Sequence, residues 1–301
     1  MIRAIHLADI VPLLLFLSKS PVDVARPRGS TCGEGVSALP LLRNCLTSSM
    51  KQCSFACVHR GLIDALVSYR SCRGPAAWEI ESLLMGTGRE DCCQSLLDGA
   101  GPPKEAPGGR LFLRVESGSQ GLEIARKAGF GQYVTEFEYV FEAASNSPPV
   151  NASLALKPKT SADEYGLFRL YNAAVPLRVR NVEGITFQEW CESRERRPAR
   201  EWLVHDEDGE ITACLKVRIA GASARFSLIS AQASGDLEPL VDHCLAFAGG
   251  KKSVSCFVQD HQAGLRQVLE YKGFRQVVEY ACLSKQAAVR VRDPRLVPLR
   301  A

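Results

Sequence analysis

Apolar positions recur at helical spacing over LADIVPLLLFL (7–17) and again over SADEYGLFRLY (161–171). In each stretch an Asp stands where a helix N-cap is wanted, and Pro12 falls in the first turn of the first one. Two later stretches, SFACVHRGLIDALVSYR (54–70) and EWLVHDEDGEITACLKVR (201–218), alternate apolar and polar residues around a tight turn. Each predicts two antiparallel strands, with Asp208-Gly209 the clearer hairpin signal. A further strand follows in each half, Trp78 to Met85 and Arg225 to Ala231, and then a helix, Glu90 to Asp98 or Leu237 to Ala248. The closing segments, 110–142 and 253–285, match best. Each predicts a short apolar strand, a polar turn, a helix that stops at Gly-Phe (Gly129-Phe130, Gly273-Phe274) and a last strand. The Gly supplies the positive φ of a helix C-cap, and the Phe after it folds back into the core.

The same order of elements therefore occurs twice, each time over about 130–145 residues, an ordinary domain size. Residues 143–160, AASNSPPVNASLALKPKT, have linker chemistry. This divides the chain into an N-terminal domain (1–143), a linker (144–160), a C-terminal domain (161–286) and a basic tail (287–301). The expected fold class is α/β with a mixed sheet, in two tandem copies.

Composition narrows the function. The 301 residues are 46% hydrophobic and 23% charged, with a net charge of +4, as in a soluble globular protein and too mild for a nucleic-acid binder. The basic run Arg194 to Arg200 is broken by Glu195 and Pro198 and reads as a solvated helix end. The 12 cysteines show no paired Cys-x-x-Cys knuckles, so no metal site is expected. Cys214, Cys256 and Cys282 sit in strand-like runs as small buried hydrophobes, which favours a reducing, cytoplasmic setting. No run is long enough to cross a membrane as a helix. Ile10 to Leu17 also has the look of a signal-peptide core, but His6 and Asp9 interrupt it, and an amphipathic first helix accounts for the same residues. His59 and His205 stand at matching strand ends as structural residues. Asn151 heads a glycosylation sequon that matters only in a secreted chain.

In its element order the chain resembles the GNAT superfamily of acetyl-CoA-dependent N-acyltransferases. The resemblance is carried above all by LFLRV, GLEIARKAGF and YVTEFEYVF between Leu111 and Phe141, and more weakly by CFVQ and GLRQVLEYKGF. It implies two tandem GNAT-like, acyl-CoA N-acyltransferase-fold domains. In that family the pantetheine arm of CoA lies between two splayed strands. The pyrophosphate sits on backbone N–H groups that open the next helix, as at anion sites generally. The resemblance places this loop at Gly86, Thr87, Gly88 and Arg89 in the first half, and at Gln232, Ser234 and Gly235 in the second. Asp236 and the Glu90-Asp91 pair depart from the pattern, and each also reads as ordinary N-terminal helix chemistry.

Glu79 and Glu81 alternate with Trp78 and Ile80 on the strand that corresponds to the family's fourth, so both carboxylates share a face; either is a candidate general base. The family's leaving-group tyrosine has no counterpart, since Ala125 and Leu269 hold its place and Tyr271 is shifted by half a turn. The asparagine common at the start of the last helix is replaced by Gly118 and Gln262. Two functions follow. One is acyl transfer from acetyl-CoA, as co-substrate, to an amine of a small molecule or protein. The other is a catalytically inactive tandem GNAT-fold protein that binds a ligand or partner. No nucleic-acid or membrane partner is expected, and the two lobes are expected as a monomeric pseudo-dimer or in a homodimer.

Overall fold

The computed structural model describes residues 1–30, 51–99, 109–142, 156–195, 199–231 and 237–286. The first half runs β1 (Ile2–Ala4), a 3-10 turn (Leu7–Asp9), α1 (Ile10–Ser18), β2 (Val22–Asp23), β3 (Gln52–His59), β4 (Leu62–Ser71) and β5 (Ala77–Met85). It continues with α2 (Glu90–Gly99), β6 (Arg110–Glu116), α3 (Gln120–Lys127) and β7 (Gly131–Glu142). The second half runs β8 (Lys157–Pro158), a 3-10 turn (Ser161–Asp163), α4 (Glu164–Ala174), α5 (Leu177–Glu183), α6 (Phe187–Ser193), β9 (Arg200–His205) and β10 (Ile211–Ala220). It ends with β11 (Ser223–Ser230), α7 (Glu238–Phe247), β12 (Ser253–Gln259), α8 (Ala263–Tyr271) and β13 (Arg275–Gln286).

The two halves repeat each other down to single hydrogen bonds. Asp9 accepts the backbone N–H of His6 at 2.9 Å, and Asp163 accepts that of Thr160 at 2.7 Å, so each Asp closes the turn that launches the first long helix. At the Gly-Phe helix ends, Gly129 and Gly273 have φ of 81° and 87°. Phe130 N–H then reaches Ala125 O at 3.0 Å and Phe274 N–H reaches Leu269 O at 2.9 Å, the six-to-one bond of a Schellman cap. Both phenylalanines are buried. A Cβ on Gly273 would meet only Phe141 at an ordinary 3.8 Å, so Gly273→Ala isolates the backbone term. It is expected to cost about 1–2 kcal/mol of stability, read as a lowered urea midpoint; an unchanged midpoint would remove this cap from the account.

The strands form one sheet in the order β1-β3-β4-β5-β6-β13-β7-β12-β11-β10-β9-β8, with β2 on β5. Neighbours are antiparallel except β5–β6 and β11–β12, which are parallel. The centre holds an exchange. β7, the last strand of the first half, pairs with β12 of the second, while β13, the last strand of the second half, pairs with β6 of the first. β7 and β13 pair with each other between them. Each lobe's sheet is thus completed by a strand from the other.

Helices cover both faces. α2 and α3 pack on one face of the first lobe, and α7 and α8 on the same face of the second, over Tyr139, Cys256, Val258 and Phe274. α4–α6 cover the opposite face, where Val134 of β7 and Cys282 of β13 meet Leu167, Tyr171 and Trp190. Strand alternation puts Glu136 on that face with Val134. The 10 described cysteines are free thiols. Cys214, Cys256 and Cys282 are buried, as their strand positions imply. No helix among the described residues is long and apolar enough to cross a membrane.

Candidate functional site: two clefts, one filled and one open

Each lobe contains one pair of parallel strands that separates. β5 and β6 pair only from Ala77↔Arg110 to Glu79↔Phe112, and β11 and β12 only from Ser223↔Ser253 to Phe226↔Cys256. Beyond these points the strands diverge and their inner edges face a gap. Backbone groups on such edges need partners. The two lobes supply them differently.

In the first lobe the gap is filled by residues 22–30. β2 pairs with β5 at Val22↔Met85 and Asp23↔Leu84. Val24 N–H donates to Leu83 O at 2.9 Å, and Leu83 N–H to the Asp23 carboxyl at 3.1 Å. On the other side Arg26 N–H donates to Arg114 O at 2.7 Å, and the Arg114 guanidinium to Ser30 O at 2.9 Å. Val24 and Ala25 are part of the lobe's buried core. Gly121, in the first turn of α3, makes room for them, since a Cβ there would lie 2.8 Å from Val24 Cγ1. Burial pushes the Asp23 carboxyl up to about 6.

The residues singled out in the first half lie around this filled gap. Glu79 is 3% exposed; it accepts from the Arg28 backbone N–H and from Arg70 at 3.1 Å. Glu81 accepts from Arg70 at 2.7 Å and from Gln52 at 3.3 Å. The ladder skips Glu81 between Ile80 and Ser82, and both carboxylates converge on Arg70. Gly86 N–H donates to Asp64 O at 3.0 Å, and the Arg89 guanidinium turns to the Asp64 carboxylate at 3.4 Å. Thr87 and Gly88 (φ 68°) complete the turn into α2. Glu90, heading α2, accepts from Gln120, heading α3, at 2.8 Å, joining the two helix starts across the mouth of the gap. Gln232, Ser234 and Gly235 lie outside the described residues.

In the second lobe the gap opens into a cavity of about 600 Å³. One end is the splay itself, lined by Phe226 to Ser230 of β11 and Ala231 just after it, Phe257 and Gln259 of β12, and the start of α8. Here Gln262 does what backbone does in the other lobe. Its amide donates to Leu228 O at 2.8 Å and accepts Gln259 N–H at 2.9 Å, tying the parted strands together. Gly264 occupies the place in α8 that Gly121 has in α3, and its missing Cβ would touch only Leu237, at 3.8 Å. The other end is roofed by Leu167, Leu170, Tyr171 and Val175 around α4 and by Trp190 of α6. Arg28 and Gly29 from the filling segment, and Glu136 from the exchanged strand β7, bring the first lobe into the cavity wall. Tyr271 is 78% exposed and is not part of it.

Four glutamates line this cavity: Glu136, Glu183, Glu195 and Glu201. Three are paired with cations: Glu136 with Arg114, Glu195 with Arg218, and Glu201 with Arg194. Glu183 is not. It accepts from the phenols of Tyr171 at 3.2 Å and Tyr133 at 3.4 Å, and has no salt bridge among the described residues. Burial raises its pKa above the ordinary carboxylate range, opposed by the charge of Arg28 and by the two phenols, and reinforced by Glu136. Glu136 is also raised by burial, with Arg114 pulling the other way. Arg28 is held by Ser193 O at 2.9 Å and stacks over Phe112 at 4.5 Å. A cavity carboxylate held above its usual range by burial is the kind of group that serves as a base near neutral pH.

No protein-family model matches the chain, and no curated protein matches it by sequence. Solved structures do match. One is a GCN5-related N-acetyltransferase from Sphaerobacter thermophilus, with a TM-score of 0.54 at 14% identity over 95% of each chain. Another is a tandem GNAT protein from the clavulanic acid biosynthesis pathway, with a TM-score of 0.52 at 14% identity over 95% of this chain and 98% of that one. At these identities the likeness is one of fold: the chain has the GNAT fold in a tandem arrangement.

Proposed function

We propose that the C-terminal lobe transfers an acyl group from acyl-CoA, with acetyl-CoA the expected co-substrate, to an amine, and that the N-terminal lobe is its scaffold. One observation carries this reading: the first lobe's strand gap is filled by its own chain, while the second lobe's gap leads into a cavity. The pantetheine arm would lie between β11 and β12, where Gln262 already bonds both strands. The acyl carbon would then face the chamber under α4–α6. Glu183 takes a proton from the bound ammonium, directly or through water, and the freed amine attacks the thioester carbonyl. The new C–N bond forms as the C–S bond breaks, and the second proton lost from nitrogen leaves with the CoA thiol. In this reading Glu79 and Glu81 are counter-ions of Arg70, and Gly86 to Arg89 cap a helix whose cleft is closed. The free thiols among the described cysteines support a cytoplasmic setting.

Calorimetric titration with acetyl-CoA tests this. One equivalent per chain is expected. Gly264→Val, which places a branched side chain where Val24 stands in the other lobe, is expected to weaken binding by about tenfold or more without loss of fold. Two equivalents, or tight binding kept by the variant, would overturn the assignment to this cleft. The absence of a tyrosine at Leu269 favours a second reading, an acyl-CoA-binding protein without turnover. One equivalent bound, with no thiol release across an amine panel, would select it.

A further inference from the structure

We infer that the acceptor is a small amine carrying a single positive charge on an apolar skeleton, seated with its ammonium on Glu183 beneath α4–α6. The inference rests on the second lobe's cleft being the transfer site, and adds the chemical class that the site selects.

The argument starts from charge. A carboxylate taken from water is stabilised only by a cation or by several hydrogen bonds. Glu136, Glu195 and Glu201 have their cations within the protein. Glu183 has two phenol donors and no cation partner among the described residues, so the missing charge is left for a ligand to bring. One such vacancy calls for one ammonium. A second positive charge would find every other lining glutamate already engaged.

The skeleton follows from the walls. Around Glu183 the roof is Leu167, Leu170, Tyr171, Val175 and Trp190, each less than a tenth exposed. Such a surface gains by covering aliphatic or aryl carbon and gives a hydroxylated or charged body few partners. The groups that act on Glu183 electrostatically are Tyr171 of α4, Tyr133 and Glu136 of β7, and Arg28 of the filling segment. Of these, Arg28 is already held by Ser193 O and Glu79, which leaves it poorly placed to receive an acceptor carboxylate. Lys216 of β10 also lines the cavity, so an amino acid is the competing chemistry.

Phenethylamine and L-phenylalanine differ only by a carboxylate, and putrescine carries a second ammonium in place of the ring. Each is titrated calorimetrically into the full chain at neutral pH without acyl-CoA. Phenethylamine is expected to bind one equivalent, about tenfold or more tightly than either of the others. Glu183→Gln is expected to weaken it by a similar factor, while wild-type affinity falls as the pH is lowered and Glu183 takes up a proton. L-phenylalanine or putrescine binding as tightly, a Glu183→Gln variant with unchanged affinity, or a wild-type affinity that does not fall with pH would overturn the inference. Since the titration needs no acyl-CoA, failure of acetyl-CoA to bind would count against the transfer site alone.

Discussion

Glu183→Gln is expected to lower kcat/KM for acyl transfer by about 10²–10⁴, the usual contribution of a positioned general base, while acetyl-CoA binding stays unchanged. The amide keeps the size of the side chain; its oxygen can accept from one of the two phenols and its NH2 can donate to the other, but it cannot take a proton. The wild-type rate should fall on the acid side of a limb that lies above the ordinary carboxylate range, because burial raises the pKa of Glu183. That limb should vanish in the variant. The sign for stability is the opposite. A carboxyl raised on folding favours the native state fully only below its unfolded pKa, and that contribution is lost as pH rises through the folded value. At neutral pH the variant should therefore unfold at a temperature no lower than wild type. A variant that keeps its rate and its acid limb would move the base to Glu136, which lies on the strand next to β12.

Cutting the lobes apart should be more damaging than any point substitution. A fragment of residues 156–286 keeps α4 to α8 but loses β7, which covers β12 along seven residue pairs from Ser253↔Glu142 to Gln259↔Glu136. It also loses β6, leaving β13 with neither of its neighbours. Two long unpaired edges result, and such edges pair with whatever is at hand. Size-exclusion chromatography should find the fragment as a dimer, in which each copy's β13 takes the place of β7 in the other, or as aggregate. A folded monomer with a cooperative unfolding transition would show that the exchange is dispensable. Co-expression with residues 1–142 should restore a one-to-one complex that binds acetyl-CoA.

How much of this was legible in the sequence depended on the range of the interaction. The Gly-Phe helix ends and the Asp-led first helices could be read because each is closed by bonds spanning six residues or fewer. The strand exchange could not. YVTEFEYVF and the matching stretch of β13 carry the same alternation, and nothing local says which lobe either one joins. Nothing in the local sequence marks Glu136 as interior, and it becomes so where α4–α6 of the other half cover its face of β7. Glu183, between Val182 and Gly184, is one acid at a short helix's end, and its setting is made by Tyr133 from 50 residues away. The filling segment, VDVARPRGS, has the Pro, Arg and Gly of a loop, and it is held chiefly by backbone bonds that leave no residue signature. Glu79 and Glu81, whose alternation offered either as a general base, both accept from Arg70.

Residues 22–30 can also be regarded as a ligand that the first lobe carries on a covalent leash. A tethered segment competes at an effective concentration of about millimolar or above, and this one is also built into the lobe's core through Val24 and Ala25. An outside molecule would have to displace both the tether and that packing. The filling of the first lobe is then a constant, and if the second lobe's cleft is the acyl-CoA site as proposed, only its occupancy is expected to vary with supply. On the proposed assignment the molecule is expected to respond to acyl-CoA as a one-site protein, with a simple hyperbolic dependence and no cooperativity between its two halves.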